Sequence, residues 1–258
     1  MKKYLKKLKI LKVLNNFLIN RKAHKNFLKC SSIEKEQLKF YSQFFCKNDL
    51  VFDVGANTGS RTKLFLNLSA KVICYEPQPN LFEHLRSYLK QNKKCLIKNL
   101  GLGDCRGSQI LNISDAHVLS SMSERWINAT KDSGRFAQYN WDTKINVGIS
   151  TLDIEIARHG MPTYVKIDVE GYELEVLKGL SVPIKFISIE FTAEDIQQSI
   201  ACMDKLDELG NYQYNFSEGE SHFFENDKWF TKKQLLDFLN SKTQNKSNLW
   251  GDIFCKLD

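Results

Sequence analysis

Residues 51–62 read VFDVGANTGSRT, a short apolar run that passes directly into a loop with two glycines. The run predicts a buried strand ending at Val54, and Gly55 and Gly59 allow a tight turn and the close approach of a ligand. The spacing lacks the three-glycine GxGxxG form, which disfavours a dinucleotide site. The stretch predicts the first strand and ligand loop of a doubly wound α/β domain, with a plain strand-to-helix turn as the alternative.

Strands and helices alternate after this loop. Further strands are predicted in KVICYEP (71–77), CLIKNLGLGD (95–104), TYVKIDVE (163–170) and KFISIEF (185–191), with a helix in NLFEHLRSYLK (80–90). Apolar strands separated by helices predict a mostly parallel sheet with helices on both faces. The pattern weakens between about residues 107 and 150, which predicts a substrate-side insertion with some antiparallel strand character.

Composition places the chain among ordinary soluble globular proteins, with 258 residues, 42% hydrophobic and 26% charged. The formal charge of +7 is unevenly distributed, because residues 1–30 hold ten Lys or Arg and no Asp or Glu. The remainder has 27 basic and 30 acidic residues. A slightly acidic body is a poor general surface for phosphates, so nucleic acid is not expected as a partner.

The basic N-terminal part, residues 1–45, is predicted to be a helical segment ahead of a domain at 46–258. Apolar residues in 1–20 follow a roughly helical spacing, which predicts a basic amphipathic helix, and the lysines are too frequent for a transmembrane span. The segment is expected to pack on the domain or a partner or to form a frayed arm, with a position on an anionic membrane surface as the alternative. No signal peptide is apparent and the seven cysteines form no CxxC pair, so a cytoplasmic location is expected.

Acidic residues follow the second and third predicted strands. Glu76 ends KVICYEP, seventeen residues after Gly59. An acidic side chain at this point can accept hydrogen bonds from both ribose hydroxyls of a nucleoside cofactor. Asp104, in the exit loop of the third strand, could similarly reach the adenine amino group.

Six motifs together resemble the FkbM family of S-adenosylmethionine-dependent O-methyltransferases. They are VFDVGANTGSRT, YEPQPNLFEHL (75–85), NLGLGD (99–104), TLD (151–153), YVKIDVEGYELEVLKG (164–179) and ISIEF (187–191). The resemblance covers residues 45–192, with a further match at WGDIFC, and KIDVEGYE is its most specific piece. It implies a Rossmann-like class I methyltransferase fold. It also implies methyl transfer to a hydroxyl on a sugar of a glycan, lipopolysaccharide or glycolipid, or on a polyketide-type small molecule.

The resemblance also implies a cofactor site. S-adenosylmethionine is the expected cofactor, with Glu76 holding its ribose. The residues expected to hold its methionine part are Asp53, Gly55, Asn57 and Gly59.

The fourth predicted strand carries the candidate catalytic residues Lys166, Asp168 and Glu170 on alternate positions, so their side chains should face the same side. Such a cluster is costly to bury unless it is paired or functional, and it can tune a carboxylate toward general-base chemistry. Asp168 is the first candidate for the group nearest the transferred methyl, and Glu170 is the second. Glu190 could complete a Mg²⁺ site with Asp168, although a metal-free base is favoured.

Other interpretations stay open. His117, in the insertion, is an alternative base, and four aromatic residues could line an acceptor pocket, although a core role is favoured. These are Phe223, Phe224, Trp229 and Phe230. Rival functions are a nucleic-acid methyltransferase, an NAD-dependent oxidoreductase and a non-catalytic interaction protein that keeps the cofactor pocket. No motif indicates the identity of the acceptor or the oligomeric state.

Overall fold

Two β-sheets organise the computed structural model, which describes residues 25–245 and 248–258. The strands are β1 (Leu50–Val54), β2 (Lys71–Tyr75), β3 (Cys95–Lys98), β4 (Gly101–Leu102), β5 (Gly107–Ile113), β6 (Thr143–Ser150), β7 (Tyr164–Ile167), β8 (Phe186–Thr192), β9 (Tyr212–Glu218) and β10 (Trp250–Leu257). Seven of them form the central sheet, in the order β3-β2-β1-β7-β8-β10-β9, and β4-β6-β5 form a small second sheet. The amphipathic helix predicted in residues 1–20 lies outside the described residues.

The central sheet is mostly parallel. Strands β3, β2, β1, β7 and β8 pair in parallel, and β10 runs antiparallel to both β8 and β9. The chain builds outward in one direction from β1 to β3 and then returns to the other side of β1 at β7, so the strand order reverses there. Ligands of doubly wound sheets bind beyond the carboxyl ends of the strands at such a reversal. The predicted doubly wound α/β fold is confirmed.

Helices cover both faces of this sheet, as predicted. The helices of the described part, of which α4 lies in the insertion and the others against the sheet, are α1 (Ser32–Tyr41), α2 (Ser60–Asn67), α3 (Pro79–Leu89), α4 (Glu124–Asp132), α5 (Leu152–His159), α6 (Glu173–Lys178), α7 (Ile196–Leu209) and α8 (Lys232–Asn245). Adjacent residues of β1 point to opposite faces, so Val51 packs with side chains of α1, α2 and α3 while Phe52 packs with those of α5 to α8. None of the helices in the described part of the chain is both long and apolar enough to cross a membrane.

Helix α1 belongs to the body of the domain. Its N-terminus is closed by a capping box between Ser31 and Glu34. The aromatic side chains at its C-terminal end and just after it are buried in the core, against α2 and the sheet: Phe40, Tyr41, Phe44 and Phe45. Burial of these rings makes the helix that precedes residue 46 part of the same core, and the predicted domain boundary at residue 46 stays a prediction.

The insertion (residues 107–150) contains β5 and β6, which form most of the second sheet, and helix α4. Strands β5 and β6 pair antiparallel along their whole length, which confirms the predicted strand character. Between β5 and α4 the chain makes a 3₁₀ turn at His117–Leu119. Trp126 of α4 is buried and packs against Gly171, in the loop that follows β7. The insertion is thereby held against the carboxyl end of the central sheet, where a ligand is expected.

Candidate active site

A cavity of about 200 Å³ opens where β1, β2 and β7 end. Its wall comes from five places: the loop after β1 with the first turn of α2, the loop after β2, the end of β7 with the loop that follows it, the insertion, and the turn after β9. The residues that line it include Gly55, Asn57, Arg61, Glu76, Gln78, Leu111, His117, Val118, Met122, Lys166, Asp168, Glu170 and Glu220. The sheet thus gathers side chains far apart in sequence at the predicted ligand position.

The glycine loop is shaped by its neighbouring backbone. Gly55 has φ +79°, and a Cβ there would lie 1.8 Å from the carbonyl oxygen of Asp168. The contact that requires a glycine is therefore with the loop after β7, whereas the sequence suggested contact with a ligand. Gly59 has φ +88° and precedes α2, and a Cβ there would lie 2.6 Å from Leu85 Cδ2. Gly59 shapes the loop without lining the cavity.

Asp53 lies beneath the glycine loop. It is fully buried in β1, accepts a hydrogen bond from Thr62 Oγ1, and is the Cα partner of Lys166 in β7. Burial raises the pKa of Asp53 above its usual value, and the nearby Lys166 charge opposes that shift. Asp53 does not line the cavity. Its predicted role in holding the methionine part can therefore operate only through the loop above it, and this stays a prediction.

Glu76 is a buried carboxylate, 2% exposed, in the cavity wall. Its Oε2 accepts a hydrogen bond from the backbone N–H of Asn57 at 2.7 Å, and its Oε1 accepts one from Gln78 N–H at 2.8 Å. Burial raises the pKa of Glu76 to about 7, although these two hydrogen bonds favour the charged form. A carboxylate has about four lone-pair sites, so two acceptor positions remain. They suit the two hydroxyls of a ribose.

Gln78 connects the nucleoside side of the cavity to the insertion. Its Nε2 donates to the carbonyl oxygen of His117 at 3.2 Å, and its Oε1 accepts from Ser120 Oγ at 3.3 Å. The apolar side chains of Leu111, Val118 and Met122 line the same cavity. Flat apolar contacts of this kind suit an adenine ring. The insertion therefore closes over the cavity beside Glu76.

Asp104, predicted to reach the adenine amino group, is exposed and outside the cavity lining. Its neighbour Cys105 is exposed as well. We expect Asp104→Asn to change the dissociation constant for S-adenosylhomocysteine by less than about twofold, since exposed groups contribute little. Calorimetric titration measures this. A tenfold loss would return Asp104 to the cofactor site.

Lys166 and Asp168 form the charged centre of the cavity. The Nζ of the buried Lys166 lies 2.8 Å from Asp168 Oδ2. Burial alone would lower the pKa of Lys166, but the carboxylates of Asp168 and Asp53 outweigh burial and hold the pKa above its usual value. Lys166 therefore stays a cation. It can fix the orientation of the Asp168 carboxylate, whose other oxygen is left for a ligand.

Glu170 reaches the cavity by a different route from the one predicted. Strand β7 ends at Ile167, and Glu170 has φ +55°, so strand alternation does not align it with Lys166 and Asp168. The loop itself turns Glu170 into the cavity. The expected alternation is thus wrong for Glu170, although all three predicted catalytic residues line one cavity.

The loop that carries Asp168 and Glu170 is held by the buried Glu173. Its Oε1 accepts hydrogen bonds from the backbone N–H groups of Val169 at 3.0 Å and Gly171 at 3.3 Å. Burial raises the pKa of Glu173 to about 7. The insertion adds a further contact, because Ser121 Oγ donates to the carbonyl oxygen of Glu170 at 2.6 Å. Glu173 was present in the quoted EGYE motif, but nothing in the sequence showed that it binds this loop.

Three carboxylates meet at one side of the cavity. Oxygen atoms of Asp168, Glu170 and Glu190 all lie within 4.8 Å of one another. Desolvation, followed by repulsion between the carboxylates, raises the pKa of both Glu170 and Glu190 well above the usual value. Such a group can bind a proton, or it can supply oxygen ligands to a divalent cation such as Mg²⁺. The predicted candidates Asp168 and Glu190 are thus close together, with Glu170 as a third.

The sequence did not single out Arg61 and Glu220. Arg61 Nη2 donates to Glu220 Oε2 at 2.5 Å, and both residues line the cavity. They are 159 positions apart, and neither lies in a motif that indicates the pair.

The four aromatic candidates lie elsewhere. Phe224 and Trp229 pack with the α1 side of the core, Phe230 with the opposite side, and Phe223 is 57% exposed. None of the four lines the cavity.

Comparisons with known proteins agree with the motifs. The FkbM methyltransferase domain matches residues 53–245. The hexuronic acid methyltransferase AglP of Haloferax volcanii is 25% identical over 155 residues, which cover 60% of this chain and 58% of that protein. The chain thus spans 58% of the length of this curated relative.

Solved structures with a similar arrangement are distant in sequence. The precorrin-6y C5,15-methyltransferase of Geobacter metallireducens has a TM-score of 0.46 and 12% identity, with 86% of each chain covered. A SAM-dependent O-methyltransferase of Thermotoga maritima has a TM-score of 0.40 and 10% identity, covering 89% of this chain and 66% of that one.

Proposed function

The chain belongs to the FkbM methyltransferase family, and from this premise we propose that it transfers a methyl group from S-adenosylmethionine to a sugar hydroxyl. The sugar would be part of a glycan, lipopolysaccharide or glycolipid. The observation that carries the proposal is a single cavity containing both a buried ribose-type acceptor, Glu76, and a lysine–carboxylate pair, Lys166 and Asp168. The cofactor's nucleoside and the reacting groups can therefore share one site.

The residues present fit the nucleoside of the cofactor. Glu76 keeps acceptor positions for two hydroxyls, and its carboxylate is held by Asn57 and Gln78 before any ligand binds. The apolar wall of Leu111, Val118 and Met122 lies on the insertion, which Gln78 ties to the same loop. A preformed site of this kind loses little entropy when it binds.

The chemistry at the other end needs alignment and removal of one proton. S-adenosylmethionine, when bound, supplies an electrophilic methyl group on a sulfonium. Asp168 would accept the proton of the acceptor hydroxyl while that oxygen bonds to the methyl carbon, the carbon–sulfur bond breaks and S-adenosylhomocysteine leaves. Lys166 holds the Asp168 carboxylate in place through their 2.8 Å contact. Much of the rate would come from fixing the hydroxyl in line with the methyl group.

A sugar acceptor is favoured by a curated relative, the hexuronic acid methyltransferase of Haloferax volcanii. The carboxylates of Asp168 and Glu170 also suit an acceptor with several hydroxyls. A polyketide-type or other small-molecule hydroxyl is the second candidate within the same chemistry. A non-catalytic role is less consistent with the buried Lys166, since a buried cation is costly to desolvate without a use.

Glu76→Ala is expected to weaken binding of S-adenosylhomocysteine by roughly 10- to 100-fold, because each hydrogen bond to a charged group contributes about 1.5–3 kcal/mol. The wild-type affinity should also rise between about pH 6 and pH 8. Glu76 loses its proton near pH 7, and its carboxylate form is the better acceptor. Calorimetric titrations across this range measure both effects, and Glu76→Gln should lose the pH dependence.

A control variant and an assay of the product complete this test. Glu83→Ala removes an exposed carboxylate of α3 and should leave the affinity unchanged. Labelled S-adenosylmethionine with neutral and acidic sugars should give a methyl ether that survives mild alkali. Binding of NADH in preference to S-adenosylhomocysteine would exclude the proposal, and an alkali-labile methyl ester would exclude a hydroxyl acceptor.

A further inference from the structure

The charged residues that line the cavity divide into three groups. Glu76 lies on the proposed ribose side, and Lys166, Asp168 and Glu170 lie at the proposed transfer end. The Arg61–Glu220 ion pair is the third group, and neither the fold nor the proposed proton transfer uses it. Arg61 lies in the first turn of α2, directly after the loop that Asn57 ties to Glu76. This pair is therefore in position to meet the remaining part of the cofactor.

Arg61 retains unused hydrogen-bonding capacity. Its side chain is 13% exposed, and its Nε is buried without a hydrogen-bond partner among the described residues. A guanidinium has five N–H donors arranged as a fork that matches a carboxylate with two parallel bonds. The α2 N-terminus adds a partial positive charge beside it. Glu220 alone thus leaves part of this anion site unfilled.

Glu220 can move more easily than Arg61. Its side chain is 58% exposed and follows Gly219 in the turn after β9. His222 Nδ1 lies 2.6 Å from the Glu220 carbonyl oxygen, which fixes the backbone, while the Glu220 carboxylate projects toward solvent and Arg61. The structure thus combines a fixed cation with an anion that can adjust.

We propose that Arg61 and Glu220 bind the amino-acid end of the cofactor, with Arg61 receiving its carboxylate and Glu220 its ammonium group. An α-amino acid is a zwitterion, so each of its charges can replace one half of the existing ion pair without leaving a charge uncompensated. This assignment rests on the proposed function. It adds two residues that were missing from the predicted methionine-binding set.

Three ligands separate the two charges. S-adenosylhomocysteine carries both groups, its decarboxylated analogue keeps only the ammonium, and 5′-methylthioadenosine lacks both. Arg61→Gln should weaken the binding of S-adenosylhomocysteine by about 10- to 100-fold and change the affinities of the other two ligands by less than about twofold. Glu220→Gln should weaken the binding of both ammonium-bearing ligands by about 3- to 10-fold and leave the affinity for 5′-methylthioadenosine unchanged. Calorimetric titration gives all these constants.

Matched variants guard against a structural cause. Arg86→Gln removes an exposed arginine of α3 and should change none of the affinities. Arg61→Lys keeps the charge but loses the forked arrangement of donors, so its affinity for S-adenosylhomocysteine should lie between those of the wild type and Arg61→Gln. Equal losses for S-adenosylhomocysteine and 5′-methylthioadenosine in Arg61→Gln would overturn the assignment, and so would no loss for either. A wild-type protein that binds neither ligand would instead overturn the proposed function, and this inference with it.

Discussion

Replacing Gly55 with alanine is expected to destabilise the protein by about 3–5 kcal/mol and to abolish binding of S-adenosylhomocysteine. The new Cβ would lie 1.8 Å from the Asp168 carbonyl oxygen, so the loops after β1 and β7 would have to separate. Those loops carry Asn57, which holds Glu76, and Asp168 itself. Thermal unfolding should show a midpoint lowered by roughly 6–20 °C for a chain of this size.

Gly134→Ala is the matched control for this experiment. Gly134 also has a left-handed φ, +83°, but a Cβ there would meet nothing within 4 Å. Its cost should therefore be only that of the backbone conformation, about 1–2 kcal/mol. The difference between the two variants isolates the collision with Asp168. Equal losses in both variants would show that the two loops separate without cost, and the proposed coupling between them would be wrong.

The collision at Gly55 also shows what a sequence can and cannot reveal here. The position of the glycine loop and of Glu76 followed from strand ends, because side chains at the carboxyl ends of parallel strands meet at one edge of the sheet. The same rule correctly placed Asp168 and Glu190 near one another. The reason that Gly55 is glycine could not be read, since it depends on a carbonyl oxygen 113 positions later.

Other features depended on contacts that have no local signal. Glu170 points into the cavity because Glu173 and Ser121 hold its loop in a left-handed turn, whereas strand periodicity predicted a continued strand. The Arg61–Glu220 pair joins residues 159 positions apart. Helix α1 lies in the segment predicted to precede the domain, yet the aromatic residues at its end are buried in the core. Composition describes a segment's surface better than its packing.

The role of Glu173 links these observations. The buried Glu173 carboxylate accepts two backbone N–H groups and thereby holds the loop, while Asp168 and Glu170 face the cavity. Lys166 pairs with Asp168, whereas Glu170, like Glu76, forms no ion pair within the described part of the chain. Desolvation and repulsion then favour a proton on Glu170. A proton on Glu170 removes its repulsion of the Asp168 carboxylate, which stays paired with Lys166.

Asp168→Asn is expected to lower the rate of methyl transfer by about 10²- to 10⁴-fold, the usual contribution of a positioned general base. The amide keeps an oxygen that can accept from Lys166, so the loop should stay in place and the affinity for S-adenosylhomocysteine should change by less than about threefold. Single-turnover transfer of a labelled methyl group, with calorimetry in parallel, separates the two effects. Asp132→Asn, at the exposed end of α4, is the conservative control.

The three-carboxylate group gives this experiment a second arm. If Asp168 acts as a metal-free base, a chelator should leave the wild-type rate unchanged, and the loss in Asp168→Asn should not respond to added Mg²⁺. If Asp168, Glu170 and Glu190 instead hold a divalent cation, the chelator should abolish transfer, Mg²⁺ should restore it, and Glu190→Gln should weaken that restoration. An Asp168→Asn protein that transfers methyl groups at the wild-type rate would exclude both roles, because each requires its carboxylate at the reacting oxygen.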